Sequence, residues 1–144
     1  MARYVGTVTA DRPADWVFAL LADMTNAPSW DPGVASATAV GTGPVGQGSA
    51  FDLTVTVLGR RLPLRYHVVV HEPPQRVVLR AENSMVRSTD EIVVAERPGG
   101  GCTVTYDARL EPKVLGPVVD PVLRLLFRRI GDQAMAGLRA RLAP

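Results

Sequence analysis

A polar stretch in the middle of the chain holds the residue types that are best suited to proton transfer. Residues 87–91 read Arg-Ser-Thr-Asp-Glu, inside an otherwise apolar pair of predicted strands. Strand alternation places Ser88 and Asp90 on the inward face, although a β-bulge would reverse that placement. An inward Asp90, paired with Arg80 or Arg87, would orient a ligand or act as a general base. The alternative is a solvated hairpin end in which Asp90 has no chemical role.

The histidines and the single cysteine are the next candidates for chemistry. His67 and His71 lie on one predicted strand, and alternation places both on the outer face, opposite Tyr66 and Val68. Two histidines alone make a poor metal-ligand set. Cys102 is the only cysteine, so an intrachain disulfide is excluded, and the sequence shows no neighbouring base that would activate its thiol. The sequence therefore implies no metal and no redox cofactor.

Composition narrows the class of protein. The 144 residues are 47% hydrophobic and 21% charged, close to the values of globular domains. The formal net charge is only +2, without the clustered basic footprint of a nucleic-acid binder. No stretch reaches the ~18 apolar residues that span a bilayer, and the first residues lack the apolar core of a signal peptide. We expect one domain over residues 1–144, located in the cytoplasm, with no nucleic-acid partner and no transmembrane segment.

The elements that must position these side chains are predominantly strands. Arg3–Ala10 alternates and is rich in β-branched residues, which predicts a first strand. A short helix over 13–22 follows, and the Asn-Ala-Pro at 26–28 ends or kinks it before a turn centred on Trp30. Further strands are predicted over 34–40, 51–57, 62–71, 77–81, 85–95 and 102–110. A tight turn at 59–60 and other hairpin-length links predict an antiparallel meander.

The last part of the chain has a helical pattern instead. Asp120 followed by Pro121 favours a helix start, and we expect the helix to run to Leu142. The stripe in this part of the chain begins before the helix start, with Leu115, Val119, Val122, Leu126 and Ile130 recurring every three or four residues and Gln133, Gly137 and Leu138 extending it. Arg124, Arg128, Arg139 and Arg141 fall mostly off this stripe and should face solvent.

Local segments of the chain match a known family. Pro13–Asp23 with Asn26–Trp30, then Gly99–Tyr106, then Asp120 with Pro121 match its opening helices, its glycine turn and late strand, and its terminal-helix start. On these segments the chain resembles the helix-grip superfamily, also called SRPBCC or START-like, and within it the bacterial polyketide cyclase/dehydrase group. The resemblance implies an α+β fold in which a curved antiparallel sheet of about seven strands wraps around a long C-terminal helix. It also implies two short helices after the first strand.

This fold implies an apolar cavity between the sheet and the long helix. The predicted lining comprises Phe51, Leu53, Val55, Leu64, Tyr66, Val68, Leu79, Val104 and Tyr106 from the sheet, and Val122, Leu126 and Ile130 from the helix. Tyr66 and Tyr106 offer phenolic donors for a carbonyl ligand, and Arg87 is a further candidate contact beside Asp90. Trp30 either gates the entrance or packs under the second helix. The alternative is that the apolar set packs as a solid core.

Two function classes follow from such a cavity. The first is binding or transport of an apolar small molecule, such as a polyketide, a lipid or an aromatic metabolite. The second is a cyclase or dehydratase that uses an inward acidic residue as its general base. The sequence shows no unambiguous inward acid–base pair, which favours binding. A partner-binding module that uses the arginine-bearing helix face is a third interpretation, and it would call for a large apolar patch outside the helix.

Overall fold

The computed structural model describes residues 1–113 and 120–144. Its helices are α1 (Ala14–Ala22), a 3-10 helix (Met24–Ser29) and α2 (Asp120–Leu142). Its strands are β1 (Ala2–Ala10), β2 (Val34–Val40), β3 (Ala50–Val57), β4 (Arg60–Glu72), β5 (Arg76–Glu82), β6 (Val86–Glu96) and β7 (Cys102–Pro112).

The seven strands form one curved antiparallel sheet with the order β1-β7-β6-β5-β4-β3-β2. Neighbours in the chain are therefore neighbours in space, except that β1 closes the sheet beside β7. The β3–β4 turn is made by Leu58 and Gly59, whose φ angles of 52° and 73° suit the twist of a tight hairpin. This turn begins one residue earlier than the sequence predicts. The helix-grip architecture is confirmed.

A β-bulge in β4 changes the facing of the second histidine. The register between β4 and β5 shifts between Val68 and Val70, so His71 pairs with Val77, which is fully buried on the concave face. The His71 ring lies 5.6 Å from the ring of Phe18 in α1. His67 precedes the bulge and is exposed. The prediction that both histidines share the outer face is therefore wrong for His71.

The long helix α2 packs on the concave face of the sheet, but its buried stripe is rotated relative to the predicted one. Its buried side chains are Ala134, Met135, Leu138 and Leu142, and Val122 is 67% exposed. Because successive helical residues are ~100° apart, Val122 lies nearly opposite Leu138. The predicted inward position of Val122 is corrected for this reason, and Gln133 is exposed as well. Two further members of the predicted stripe, Leu115 and Val119, lie outside the described residues.

Two glycines bring α2 close to the rest of the fold. A Cβ atom at Gly131 would collide with the ring of Tyr4 in β1, and one at Gly137 would collide with the carbonyl oxygen of Trp30. These contacts fix the height of α2 above the sheet. No helix in the described part of the chain combines the length and the apolar character needed to cross a bilayer.

Candidate functional site

A cavity of about 220 Å³ lies between α2 and the concave face of the sheet. Its apolar walls include Leu53, Val55, Leu64, Ala108 and Leu110 from the sheet, and Leu123, Leu126, Phe127, Ile130 and Met135 from α2. Met24, Ala27 and Trp30 close it from the 3-10 helix. The curved sheet and α2 leave this space between them because their side chains do not meet here.

Asp90 is the carboxylate at the centre of the polar part of this cavity. Alternation runs unbroken along β6, so Ser88, Asp90, Ile92 and Val94 are all buried on the concave side. Asp90 is only 7% exposed, and its Oδ2 accepts a 2.7 Å hydrogen bond from the hydroxyl of Tyr106. The alternative of a solvated hairpin end does not apply to Asp90.

Burial raises the pKa of Asp90 towards neutral pH. Desolvation raises the pKa of Asp90 to about 6, against a smaller lowering effect of the Tyr106 hydrogen bond, and the nearby charge of Asp31 raises it further. Burial, reinforced by the Asp90 charge, also holds the pKa of the Tyr106 phenol well above its ordinary value. At neutral pH Tyr106 is therefore a hydrogen-bond donor, and the pKa of Asp90 is closer to neutral pH than that of an ordinary aspartate.

A second polar pair lies beside the first. The hydroxyls of Tyr66 and Ser88 are 3.2 Å apart, and both residues are buried in the cavity wall. Each hydroxyl carries one proton, and their mutual hydrogen bond uses only one of the two. Burial raises the pKa of Tyr66, so its phenol stays protonated. One O–H donor of this pair is therefore left to point at a ligand oxygen.

Asp31 is a second acidic residue in the wall, and the sequence did not predict it. It follows the 3-10 helix, and its Oδ1 accepts a 2.8 Å hydrogen bond from the backbone N–H of Gly33. Burial raises the pKa of Asp31. The Asp-Pro-Gly order after Trp30 is typical of a turn held by its aspartate, which identifies the loop but not its position beside the sheet.

The structure brings together most of the residues predicted to line the cavity. Trp30, Leu53, Val55, Leu64, Tyr66, Asp90, Tyr106, Leu126 and Ile130 all lie in its wall. The ring of Trp30 packs edge-on to that of Tyr106, with centroids 6.1 Å apart, and Trp30 is only 6% exposed. Trp30 is thus a buried part of the wall that packs against Tyr106.

Four of the apolar sheet residues predicted to line the cavity lie outside its wall, as Val122 of α2 does. Phe51, Val68, Leu79 and Val104 face inward but are at most 2% exposed and pack in the hydrophobic core with α1. Alternation identifies the face of a strand, whereas the helices above decide which part of that face stays open. The cavity and the solid core therefore occupy different parts of the same concave surface.

The predicted arginine contact is not formed. Arg87 lies on the opposite face of β6 from Asp90, where it pairs with Glu82 at 3.1 Å and approaches Glu111 at 3.9 Å. Arg80 is exposed on β5. The partner of Asp90 is Tyr106 instead, because residues with odd numbers in this part of β6 point away from the cavity. No group of three or more metal-ligating side chains occurs among the residues described.

The fold is shared with several solved structures. The chain is similar to a START superfamily protein from Mycobacterium smegmatis (TM-score 0.82, 14% identity, covering 99% of this chain and 97% of that one). It is similar to the ZhuI aromatase/cyclase from Streptomyces sp. R1128 (TM-score 0.76, 16% identity, covering 97% and 90%). It is also similar to the ginseng major latex-like protein 151 from Panax ginseng (TM-score 0.71, 12% identity, covering 99% and 98%). At these identities the likeness establishes the fold alone.

Sequence comparison gives the family. A comparison with curated protein sequences finds no significant match. A family model described as polyketide cyclase / dehydrase and lipid transport matches residues 1–143. The match spans nearly the whole chain and agrees with the resemblance of its local segments, and the chain therefore belongs to the polyketide cyclase / dehydrase and lipid transport family.

Proposed function

We propose that the protein binds an apolar small molecule, such as a polyketide, a lipid or an aromatic metabolite, in the cavity under α2. The observation that carries this proposal is an apolar space of about 220 Å³ with a few convergent polar groups. Such a composition is typical of small-molecule sites, in which apolar walls supply affinity and a few polar groups fix orientation. The volume lies below the roughly 300–1,000 Å³ usual for ligand pockets, which favours a compact ligand.

The polar groups support an oxygenated ligand in particular. The free O–H donor of the Tyr66–Ser88 pair suits a carbonyl oxygen, and the remaining lone pairs of Asp90 suit a hydroxyl or an enol. A ligand that lacked oxygen would leave these groups without partners, and unpaired buried polar groups lower affinity. We therefore favour ketone-bearing or phenolic ligands over plain hydrocarbons.

A second candidate function is cyclisation or dehydration of such a ketone. It is favoured by one observation, the buried Asp90 carboxylate with a pKa of about 6 beside a phenol donor. Asp90 would take a proton from the carbon between two carbonyl groups, and the resulting enolate carbon would form a bond to the carbon of a further carbonyl in the same ligand. Asp90 would return its proton to the alkoxide that this leaves, and the new hydroxyl would depart as water with the remaining hydrogen of the attacking carbon. These steps are redox-neutral, so this proposal invokes no cofactor.

We also propose a domain organisation, a location and a type of partner for the protein. Residues 1–144 would act as one domain in the cytoplasm, with a small molecule rather than a nucleic acid as partner. The family match, the apolar cavity and the low net charge of +2 support this assignment.

Methyl-labelled protein titrated with 1-naphthol and followed by NMR tests the binding proposal. We expect saturable shifts at methyl groups of the wall, such as Leu53, Leu64 and Leu126, with one binding curve for all three. Val40, which is 41% exposed at the end of β2 and outside the cavity wall, is the control and should not follow that curve. Shifts confined to exposed methyl groups, or shifts that never saturate, would contradict an internal site.

A further inference from the structure

Exposed apolar side chains concentrate at one end of the sheet. The β3–β4 and β5–β6 turns lie at the same end because the strands are consecutive and antiparallel. Leu58 at the tip of the first turn is 80% exposed, Leu62 beside it is 46% exposed, and Met85 in the second turn is 59% exposed. We call this end, with both turns and the first residues of β1, the turn end.

The first turns of α2 belong to the turn end as well. Gly131 of α2 meets the ring of Tyr4, so the helix residues before it extend past the start of β1. Val122 and Leu125 in this stretch are 67% and 60% exposed. Isolated exposed apolar residues need no explanation, but a group gathered from two turns and a helix indicates a contact surface.

The cavity opens towards the same end. Of its lining residues, Val57, Val86, Leu110 and Leu123 lie at the turn end and keep part of their surface exposed. Those farther along α2 from the turn end, such as Trp30, Ala134 and Met135, are buried. The exposed apolar group therefore surrounds the side from which a ligand reaches the cavity.

Positive charge accompanies the apolar group. Arg60 and Arg61 come shortly after Leu58, and Arg128 and Arg129 come after Leu125 on α2. Within residues 1–113 and 120–144, none of these four arginines forms an ion pair. The nearby acids are already satisfied, since Glu82 pairs with Arg87 and Lys113, and Glu111 approaches Arg87.

We propose that the turn end docks onto an anionic lipid surface. Single apolar side chains on turn tips, interleaved with these arginines, suit the boundary between anionic headgroups and acyl chains. The core of a protein–protein interface is instead depleted of charge. Docking in this orientation lets an apolar ligand pass between the bilayer and the cavity without crossing water. This inference goes beyond the proposed function and does not depend on which ligand is bound.

Flotation with lipid vesicles tests the apolar part of the surface. The full chain should float with vesicles of phosphatidylcholine mixed with phosphatidylglycerol, and much less with phosphatidylcholine alone. Leu58→Asn keeps the turn, because Asn-Gly is the favoured sequence for this hairpin type. We expect it to weaken vesicle binding roughly tenfold, the loss of one partly inserted leucine. Val40→Asn is the matched control, since Val40 is 41% exposed at the opposite end of the sheet.

A second experiment tests the contribution of charge and uses Arg60 and Arg61, which are adjacent at the start of β4. A surface charge near anionic lipid contributes ~1 kcal/mol, so the double variant Arg60→Gln with Arg61→Gln should lose roughly 30-fold in affinity for anionic vesicles. It should leave the weak binding to phosphatidylcholine unchanged. Arg80→Gln is the control, because Arg80 is exposed in the middle of β5.

Three outcomes would overturn the inference. One is that the full chain floats with neither vesicle type. Another is that Leu58→Asn floats as well as the unchanged chain. The third is a concentration-dependent dimer that Leu58→Asn dissociates, since this surface would then bind a second copy. The 1-naphthol titration keeps the two proposals apart, because loss of vesicle binding should leave the wall-methyl shifts intact.

Discussion

The hydroxyl of Tyr106 donates a 2.7 Å hydrogen bond to Asp90 across the boundary between β6 and β7. Register explains how residues sixteen positions apart meet, since Tyr106 is the cross-strand partner of Ile92 and Asp90 is two residues away on the same face. Both lie in the wall of the cavity. The sheet thus places a proton acceptor and a phenol donor where the ligand would lie.

Replacing Asp90 separates the two candidate functions. Asp90→Asn keeps the size of the side chain but removes the basic site. If the protein catalyses cyclisation, turnover of a poly-β-ketone thioester, followed by its ultraviolet absorbance, should fall by roughly 100-fold or more, with little change in affinity. Asp52→Asn is the control, because Asp52 pairs with Arg65 on the exposed face. Equal turnover by Asp90→Asn and the unchanged protein would remove Asp90 from any catalytic role.

Replacing Tyr106 should move the titration of Asp90 upwards. The phenol stabilises the charged carboxylate, so Tyr106→Phe removes a lowering influence and the pKa of Asp90 should rise above about 6. Carbon-13 NMR of the Asp90 carboxyl group measures this directly. In the control Tyr66→Phe the titration should change much less, since the hydroxyl of Tyr66 bonds to Ser88. A fall in the pKa of Asp90 in Tyr106→Phe would contradict the hydrogen-bond geometry.

Asp90 should also make stability depend on pH. Its pKa is about 6 in the folded state and near the ordinary 3.8 of an aspartate when unfolded, so the folded state holds its proton to higher pH. The contribution of Asp90 to the free energy of unfolding is therefore largest below about pH 4 and falls until about pH 6. As the pH rises from about 4 to about 6, the free energy of unfolding of Asp90→Asn should therefore increase by on the order of 3 kcal/mol relative to that of the unchanged protein. Urea unfolding of both proteins measures the difference, and a constant difference would rule out a buried carboxyl group with a raised pKa.

The close approach of α2 to β1 should be sensitive to one methyl group. Gly131→Ala would ordinarily stabilise a helix, but its Cβ would collide with the Tyr4 ring. We expect a net loss of about 1–3 kcal/mol in the free energy of unfolding, as for other overpacked sites. Gly46→Ala is the control, because no atom lies within 4 Å of a Cβ there. Equal unfolding midpoints for the two variants would argue against this helix placement.

Sequence reasoning succeeded where strand alternation is unbroken. Strand alternation gave the right facing for Asp90 because no bulge interrupts β6, although the sequence also left a solvated hairpin end open. The same reasoning failed for His71, because a bulge in β4 reverses the facing of the residues that follow it. The bulge lies within a run of three valines, and their sequence does not indicate it.

The exposure of Val122 and the position of Asp31 were not predicted because both depend on tertiary contacts. The helical pattern fits more than one rotation of α2, and packing against Tyr4 and Trp30 selects the one that exposes Val122. Asp31 enters the cavity wall through a loop, and loops carry no periodicity from which a facing is predicted. The boundary between the cavity and the solid core is also set by a tertiary contact, because the concave-face residues under α1 pack against it.

A titration of two tryptophan variants tests the internal binding site most directly. Leu126 lines the cavity, whereas Val122, one turn earlier on the same helix, is 67% exposed. Leu126→Trp fills space that a ligand needs, so saturable binding of 1-naphthol, followed by calorimetry, should weaken at least roughly tenfold. Val122→Trp should bind as the unchanged protein does, and circular dichroism should show both variants folded. Equal affinity in folded Leu126→Trp and Val122→Trp would contradict a ligand site under α2.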